Sequence, residues 1–332
     1  TDLDGLKERQ FPRARCTSEP LYGTMMRTAL VIPTLGADSL GECLQSVRRL
    51  NPAPDETVVV HSGGASAPAV DGPFQLFSFS QRLGFAAAAN TGIGQVIDRA
   101  DAIALLNDDA FPASDWLGRL QDFLASRPRA AAVQGTVCSS DGATIDGRGV
   151  ALSRFGLPLQ VDRSATTDRE PADPSRRTAV SATAALYRAE ALKQAALANQ
   201  AIFDAGFDSY HEDVDLGLRL ARLGWQSWFV PGATCRHVGS HSGMHHDWRH
   251  PWWLLANPWR VLAGNLDRRS TLLVLPRVLL GELRAATRMT LENPRTALVA
   301  PAVLASLPSL LVAGWQRQTA GARLTGLPLE PT

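Results

Sequence analysis

Lysine is almost missing from this 332-residue chain, where two lysines stand against 31 arginines. With abundant alanine, that ratio reflects a GC-rich coding sequence and carries no functional information. Cysteine is scarce too: Cys16, Cys43, Cys138 and Cys235 lie far apart with no C-x-x-C pair. This argues against a disulfide framework or a structural zinc site and makes a reducing cytoplasm the expected compartment. An excess of one charge is also lacking, with 33 basic against 32 acidic residues. A dedicated nucleic-acid binder would concentrate positive charge, so none is expected as a partner. No G-x-G-x-x-G and no G-x-x-x-x-G-K-[ST] occurs, which removes the main support for a dehydrogenase, a kinase or a P-loop NTPase. Residues 1–25 carry no apolar run of the signal-peptide kind. They are expected to lie outside the fold, whose first strand-like run follows Met25-Met26.

What is present is an ordinary globular composition, 45% hydrophobic and 20% charged. It excludes disorder over most of the length and a polytopic membrane protein. From Arg27 onward, short apolar runs alternate with amphipathic stretches. Strands are expected at Thr28–Ile32 (stopped by Pro33), Thr57–Val60, Phe74–Phe79, Ala102–Leu106 and Ala131–Val137. Helices are expected at Ser39–Leu50, Gly84–Arg99 and Trp116–Leu124. This alternation implies βαβ units and a largely parallel sheet, an α/β fold. Residues 138–180 are rich in Gly, Asp, Ser and Pro and read as a hairpin plus a mobile loop, Asp162–Arg177. Such long loops often serve as substrate lids. A second α/β piece follows: a strand at Ala179–Tyr187, a helix at His211–Leu223 closed by Gly224, and a strand at Gln226–Val230 closed by Pro231-Gly232.

The chain divides at about residue 246, giving domains 26–245 and 246–332, the latter helical. Residues 249–332 hold ten arginines and four acidic residues, so a mildly acidic body ends in a basic, apolar tail. Trp248, Trp252, Trp253 and Trp259 cluster there, and Thr296–Gln316 runs twenty-one residues without a charge. That approaches the roughly 20 residues needed to span a bilayer. Pro301 and Pro308 interrupt it on nearly one helix face. A kinked helix lying in a membrane interface is therefore expected, with Arg295 and Arg317 at its ends; a core or dimer-forming helix is the alternative.

Two acidic clusters carry the chemistry. Leu105-Leu106-Asn107-Asp108-Asp109 is an apolar strand running straight into carboxylates. Ligands of α/β sheets bind beyond the carboxyl ends of strands, and hard oxygen donors there suit Mg²⁺ or Mn²⁺ bridging phosphates. Glu212-Asp213-Val214-Asp215 opens a helix. At 100° per residue Asp213 and Asp215 point about 200° apart, so one of them at most faces a given site. Capping and the helix dipole would account for some of these acids, but not for their density. His237, His241, His245, His246 and His250 are separated by Gly239, Ser240, Ser242 and Gly243, so one histidine ligand is expected rather than a helical metal cluster.

Taken in order, Val31-Ile32-Pro33-Thr34, Arg82-Leu83-Gly84-Phe85-Ala86, Asn90-Thr91-Gly92, Leu106-Asn107-Asp108-Asp109, Gly206-Phe207-Asp208, Glu212-Asp213-Val214-Asp215-Leu216 with Arg219, Gly224-Trp225 and Pro231-Gly232-Ala233 before His237 form a specific series. The series resembles the family 2 glycosyltransferases, especially their bacterial rhamnosyltransferase-like branch. The resemblance covers about residues 27–245. It implies a GT-A fold, a Rossmann-like mixed, mostly parallel sheet flanked by helices, with a C-terminal helical extension. It also implies inverting, metal-dependent transfer of a sugar from a nucleoside-diphosphate donor (UDP or dTDP) to a glycan or polyprenyl-linked acceptor, at the inner face of the plasma membrane.

Carried over residue by residue, the resemblance makes Asp213 the catalytic base with Glu212 beside it. Asp109 and His237 become ligands of a divalent cation, Mn²⁺ or Mg²⁺. Pro33, Thr34, His61, Ser62, Arg82, Gly84, Asn90, Asn107 and Asp108 fall on the donor side. The chain departs from the family pattern at three places. His61-Ser62 stands where an Asp commonly helps read the base, Asn107 replaces the leading Asp of D-x-D, and Ser181-Ala182-Thr183-Ala184 lacks the expected Gly. Base and acceptor are thereby left open. Two rivals remain at this point: a degenerate, non-catalytic GT-A scaffold, and a sugar nucleotidyltransferase. The second is disfavoured because Pro33–Asp38 is no Arg/Lys-containing phosphate loop.

Overall fold

A computed structural model of the chain describes residues 26–64, 67–239, 248–317 and 319–327. The expected extension 1–25 and the histidines His241, His245 and His246 lie outside the described residues. The strands are β1 (Thr28–Thr34), β2 (Glu56–Ser62), β3 (Phe74–Phe79), β4 (Ala102–Leu106), β5 (Ala110–Pro112), β6 (Ala130–Ser139), β7 (Ile145–Gly147), β8 (Val150–Leu152), β9 (Pro158–Gln160), β10 (Ser175–Arg177), β11 (Ala184–Arg188) and β12 (Gln226–His237). The helices are α1 (Leu40–Arg48), α2 (Phe85–Val96), α3 (Trp116–Ser126), α4 (Ala189–Ala195), α5 (Glu212–Arg222), α6 (Arg249–Asn265), α7 (Arg268–Glu292) and α8 (Val299–Gln316).

The main sheet runs β10-β12-β6-β11-β4-β1-β2-β3, with β5 on β12 and β7 on β6. β1 pairs parallel with β2 and β4, and β12 parallel with β6, while β11 is antiparallel to both neighbours. Both faces are covered, which is why the central strands read as unbroken apolar runs. Along β1, Ala29 and Val31 pack against the α2, α4 and α5 side, and Leu30 and Ile32 against α1 and α3. A sheet so enclosed presents its strand ends, rather than its faces, to a ligand.

Two expected strand stops become other things. β1 continues through Pro33 to Thr34. It has by then lost β4 as a neighbour, since that pairing ends at Val31–Leu105, and a residue without an N–H is tolerated there. Pro231-Gly232 does not close the last strand either. β12 slips register against β6 between Phe229 and Thr234 and resumes to His237. The slip has the character of a bulge, which bends and re-aims a strand. The loop expected to be mobile is tied down: Arg148, itself buried, pairs with Asp162 and Glu170, and β10 pairs with β12.

The C-terminal helices are joined to the α/β body by buried polar contacts. Arg317, just past α8, pairs with Asp204 and Asp215, and Asn265 of α6 donates to the same Asp215. Gly314 of α8 packs against α6 so closely that a Cβ would stand 2.5 Å from that of Ala263. Pro258 lies inside α6 and Pro308 inside α8, and neither ends its helix.

Candidate active site

Beyond the ends of β1, β2 and β4 lies a cleft of about 980 Å³. Pro33, Thr34, Ser62, Arg82, Asn107, Asp108, Asp109, Glu212, Asp213 and His237 all line it. Three other sequence-selected residues do their work beside it. His61 is buried and shares a hydrogen bond of 2.9 Å between Nδ1 and Ser78 Oγ. Asn90 accepts the N–H groups of Ile202 and Phe203 and donates to the Phe203 carbonyl. Gly84 makes room for Asp208, whose carboxylate an added Cβ would meet at 1.7 Å. Gly84→Ala is thus expected to displace Asp208 from Arg82, which it meets at 3.0 Å. The expected cost is about 1–3 kcal/mol of stability, read from the urea midpoint.

One wall is the turn after β4. Thr34 Oγ1 donates to Asp108 and accepts the Gly36 N–H, binding the ends of β1 and β4 together. Burial, and to a smaller degree the charge of Asp109, raises Asp108 against that hydrogen bond. Because Ala110 of β5 pairs with His237 of β12, Asp109 and His237 are brought side by side, Oδ1 to Nε2 at 3.1 Å. On the other ring nitrogen, His237 Nδ1 lies 2.9 Å from Asp146 Oδ2 of β7. Burial alone would lower His237, but hydrogen bonds to Asp109 and Asp146 together with their charges raise it to about 9. Asp146 was missed in the sequence because nothing distinguishes it from the turn acids of the 138–180 segment.

The donor set fits a divalent cation in part. Two adjacent ligands each about 2.1 Å from one ion stand about 3 Å apart, close to the separation of Asp109 and His237, and an ion there would have to displace the proton that His237 now shares with Asp109. Among the described residues no group of three or more such side chains could hold an ion alone. A site of that kind suits Mg²⁺ or Mn²⁺ completed by substrate phosphates and water.

The opposite wall is the start of α5. Asp213 lines the cleft, whereas Asp215 is fully buried and engaged by Arg219, Arg317 and Asn265. The helical spacing of the two acids produces this division. Asp213 accepts the Ala182 N–H at 3.2 Å and the Val214 N–H at 2.7 Å. Burial pushes it up to about 6 against those bonds. Burial, and then the charge of Asp213, raises Glu212 well above the usual carboxylate range, and its Oε2 has no hydrogen-bond partner among the described residues.

The loop before α5 is unusual. Asp208, Tyr210 and His211 all have left-handed φ, at 61°, 68° and 70°, although none is glycine. Asp208 sits in a γ-turn closed by Ser209 N–H to the Phe207 carbonyl. Each such residue costs on the order of 1–3 kcal/mol and persists only where its surroundings impose it.

The two acidic walls face each other across a cleft at the ends of a mostly parallel sheet, the place where α/β folds bind their ligands. A solved structure agrees on the architecture. GalNAc-T7, crystallised with UDP, GalNAc and Mn²⁺, superposes with a TM-score of 0.55 at 16% identity, over 74% of this chain and 49% of that one. The protein has the GT-A fold and is a glycosyltransferase. Residues 29–195, half of the chain, match the model described as Glycosyl transferase family 2, and the chain belongs to that family. It is 29% identical over 237 residues to N-acetylglucosaminyl-diphospho-decaprenol L-rhamnosyltransferase of Mycobacterium tuberculosis, covering 60% of this chain and 75% of the relative; the sequences from two strains match alike.

Proposed function

We propose that the protein is an inverting, metal-dependent glycosyltransferase that moves a sugar, with L-rhamnose the first candidate, from a nucleoside-diphosphate donor to a hydroxyl of a lipid-linked acceptor. The observation that carries this reading is the meeting of Asp109 and His237 with the ionisable Asp213 in one cleft. Pro33, Thr34, Ser62, Arg82, Asn107 and Asp108 line the donor part, and UDP and dTDP are the candidate nucleotides. Asp109 and His237 would hold Mn²⁺ or Mg²⁺. That cation supplies electrostatic stabilisation of the leaving diphosphate. Asp213 takes the proton of the acceptor hydroxyl as its oxygen bonds to the anomeric carbon and the bond from that carbon to the diphosphate breaks. The rhamnose and the lipid diphosphate of the acceptor come from the mycobacterial relative.

A lipid-linked acceptor places the enzyme at a membrane surface, on the cytoplasmic face, and the C-terminal helices suit this. Leu272, Leu273 and Leu283 of α7, with Leu298 and Leu304, are each more than half exposed. The stretch Thr296–Gln316 is long and apolar enough to cross a membrane, and 28% of its most apolar window is buried. Its packing on α6 favours a helix lying in the interface over one that leaves the body. Arginines 268, 269, 277, 284 and 288 of the same helical pair supply charge for lipid phosphates.

The test is transfer from dTDP-L-rhamnose or a UDP-sugar to a polyprenyl-diphosphate-linked sugar, with Mn²⁺ and then with EDTA, alongside flotation with anionic vesicles. Metal-dependent product and co-flotation are expected. If neither nucleotide sugar is consumed with any acceptor, the catalytic reading fails and a scaffold takes its place.

A further inference from the structure

We infer that Asn257 is a positioning residue: from α6 its side-chain amide holds the loop that aims Asp213 into the cleft. The inference rests on the reading of Asp213 as the base. Asn257 lies outside residues 29–195, where the family model matches, and its side chain is buried. Its Nδ2 donates toward three carbonyls, those of Phe207 at 3.0 Å, Ser209 at 2.9 Å and Tyr210 at 2.8 Å. An amide nitrogen has two hydrogens, so three acceptors oblige at least one to be shared. Such crowding of carbonyls onto one nitrogen is a product of the left-handed residues Asp208, Tyr210 and His211. Without a donor at their centre, the converging carbonyl dipoles would repel and the side-chain-bearing residues would relax to φ below zero.

The loop leads directly into the acids. His211 is the N-cap of α5, and Asp213 follows two residues later. A rotation of the loop would therefore carry Asp213 with it. On the donor side the same loop is fixed to the start of α2, where the Asp208 carbonyl accepts the Ala86 N–H, and to Arg82 just before that helix, which meets the Asp208 carboxylate. On the other side Asn257 fixes it to α6. His250 and Leu254, spaced to share the Asn257 face of that helix, line the cleft themselves. The C-terminal helices thus complete the catalytic half as well as covering it.

Asn257→Ala and the near-isosteric Asn257→Asp, which cannot donate when ionised, test this in the full chain. Both are expected to lower kcat about 10- to 100-fold, the range for a displaced reacting group. The donor KM and the Kd for UDP or dTDP should stay within about twofold, and amide exchange should quicken over residues 208–215 while β1, β2 and α1 keep their protection. Unchanged kcat and exchange would overturn the inference. So would parallel loss of kcat, nucleotide affinity and protection along the whole chain, or failure of both variants to fold, each of which marks a general structural role. Should the wild type transfer no sugar, the functional reading fails separately, and the exchange arm alone still decides whether Asn257 holds the loop.

Discussion

Asp213→Asn is expected to lower turnover by about 10²- to 10⁴-fold, the usual contribution of a positioned general base. Nucleotide affinity should be retained, because the donor is held at the other wall of the cleft. Asparagine preserves the size of the side chain and an oxygen able to accept the Ala182 N–H, so the loss reports basicity rather than packing. The pH profile should agree. Burial raises Asp213 to about 6, and a base must be ionised to take a proton. In the wild type, kcat/KM is thus expected to fall as pH drops through about 6, tenfold for each further unit, and to be level on that account above it. An acid limb near 4 instead would show that the carboxylate is solvated in the working enzyme, and a full-rate Asp213→Asn enzyme would remove Asp213 from the mechanism.

The second large effect is expected at Asp109. Among the described residues the protein offers too few donors to hold a cation by itself, so Asp109→Ala should abolish metal dependence rather than merely weaken it. In calorimetric titration of UDP and dTDP, the wild type is expected to bind at least about tenfold more tightly with Mn²⁺ than with EDTA, the variant equally weakly in both. Turnover should fall by about 10²- to 10³-fold, the range for loss of one group that stabilises a leaving anion. Wild-type binding that ignores EDTA would set Asp109 and His237 apart from any cation. The preferred nucleotide would also show which base the cleft accepts where His61 and Ser62 replace an acid.

Much of this site was legible in the sequence because its parts are local. An apolar strand that ends in Asn107-Asp108-Asp109, and an acid-rich helix start at Glu212-Asp213, announce themselves by composition at an element boundary. The choice between Asp213 and Asp215 followed from helix geometry up to one binary question, which of the two faces the cleft. Asn90 and Gly84 were found by the same local patterns, yet they hold the 202–203 backbone and accommodate Asp208 rather than lining the cleft. A motif records that a residue type is required at a position. It does not say whether a ligand or a neighbouring loop requires it.

What the sequence by itself determined is the α/β layering, the two acidic corners and the basic, apolar C-terminal region, since each follows from periodicity or charge within a short window. Tertiary structure alone decided the rest. β12 passes Pro231-Gly232 because β6 supplies partners on both sides of the irregularity and β5 adds more beyond it, and only that continuation carries His237 to Asp109. α6 passes Pro258 in the company of the buried Trp259 and Asn257, so a local breaker is outweighed by packing that no window contains. The three left-handed residues before α5 have ordinary side chains and no sequence signature. Their backbone is held by Arg82 and Ala86 on one side and by Asn257 of α6 on the other, groups far from the loop in the chain.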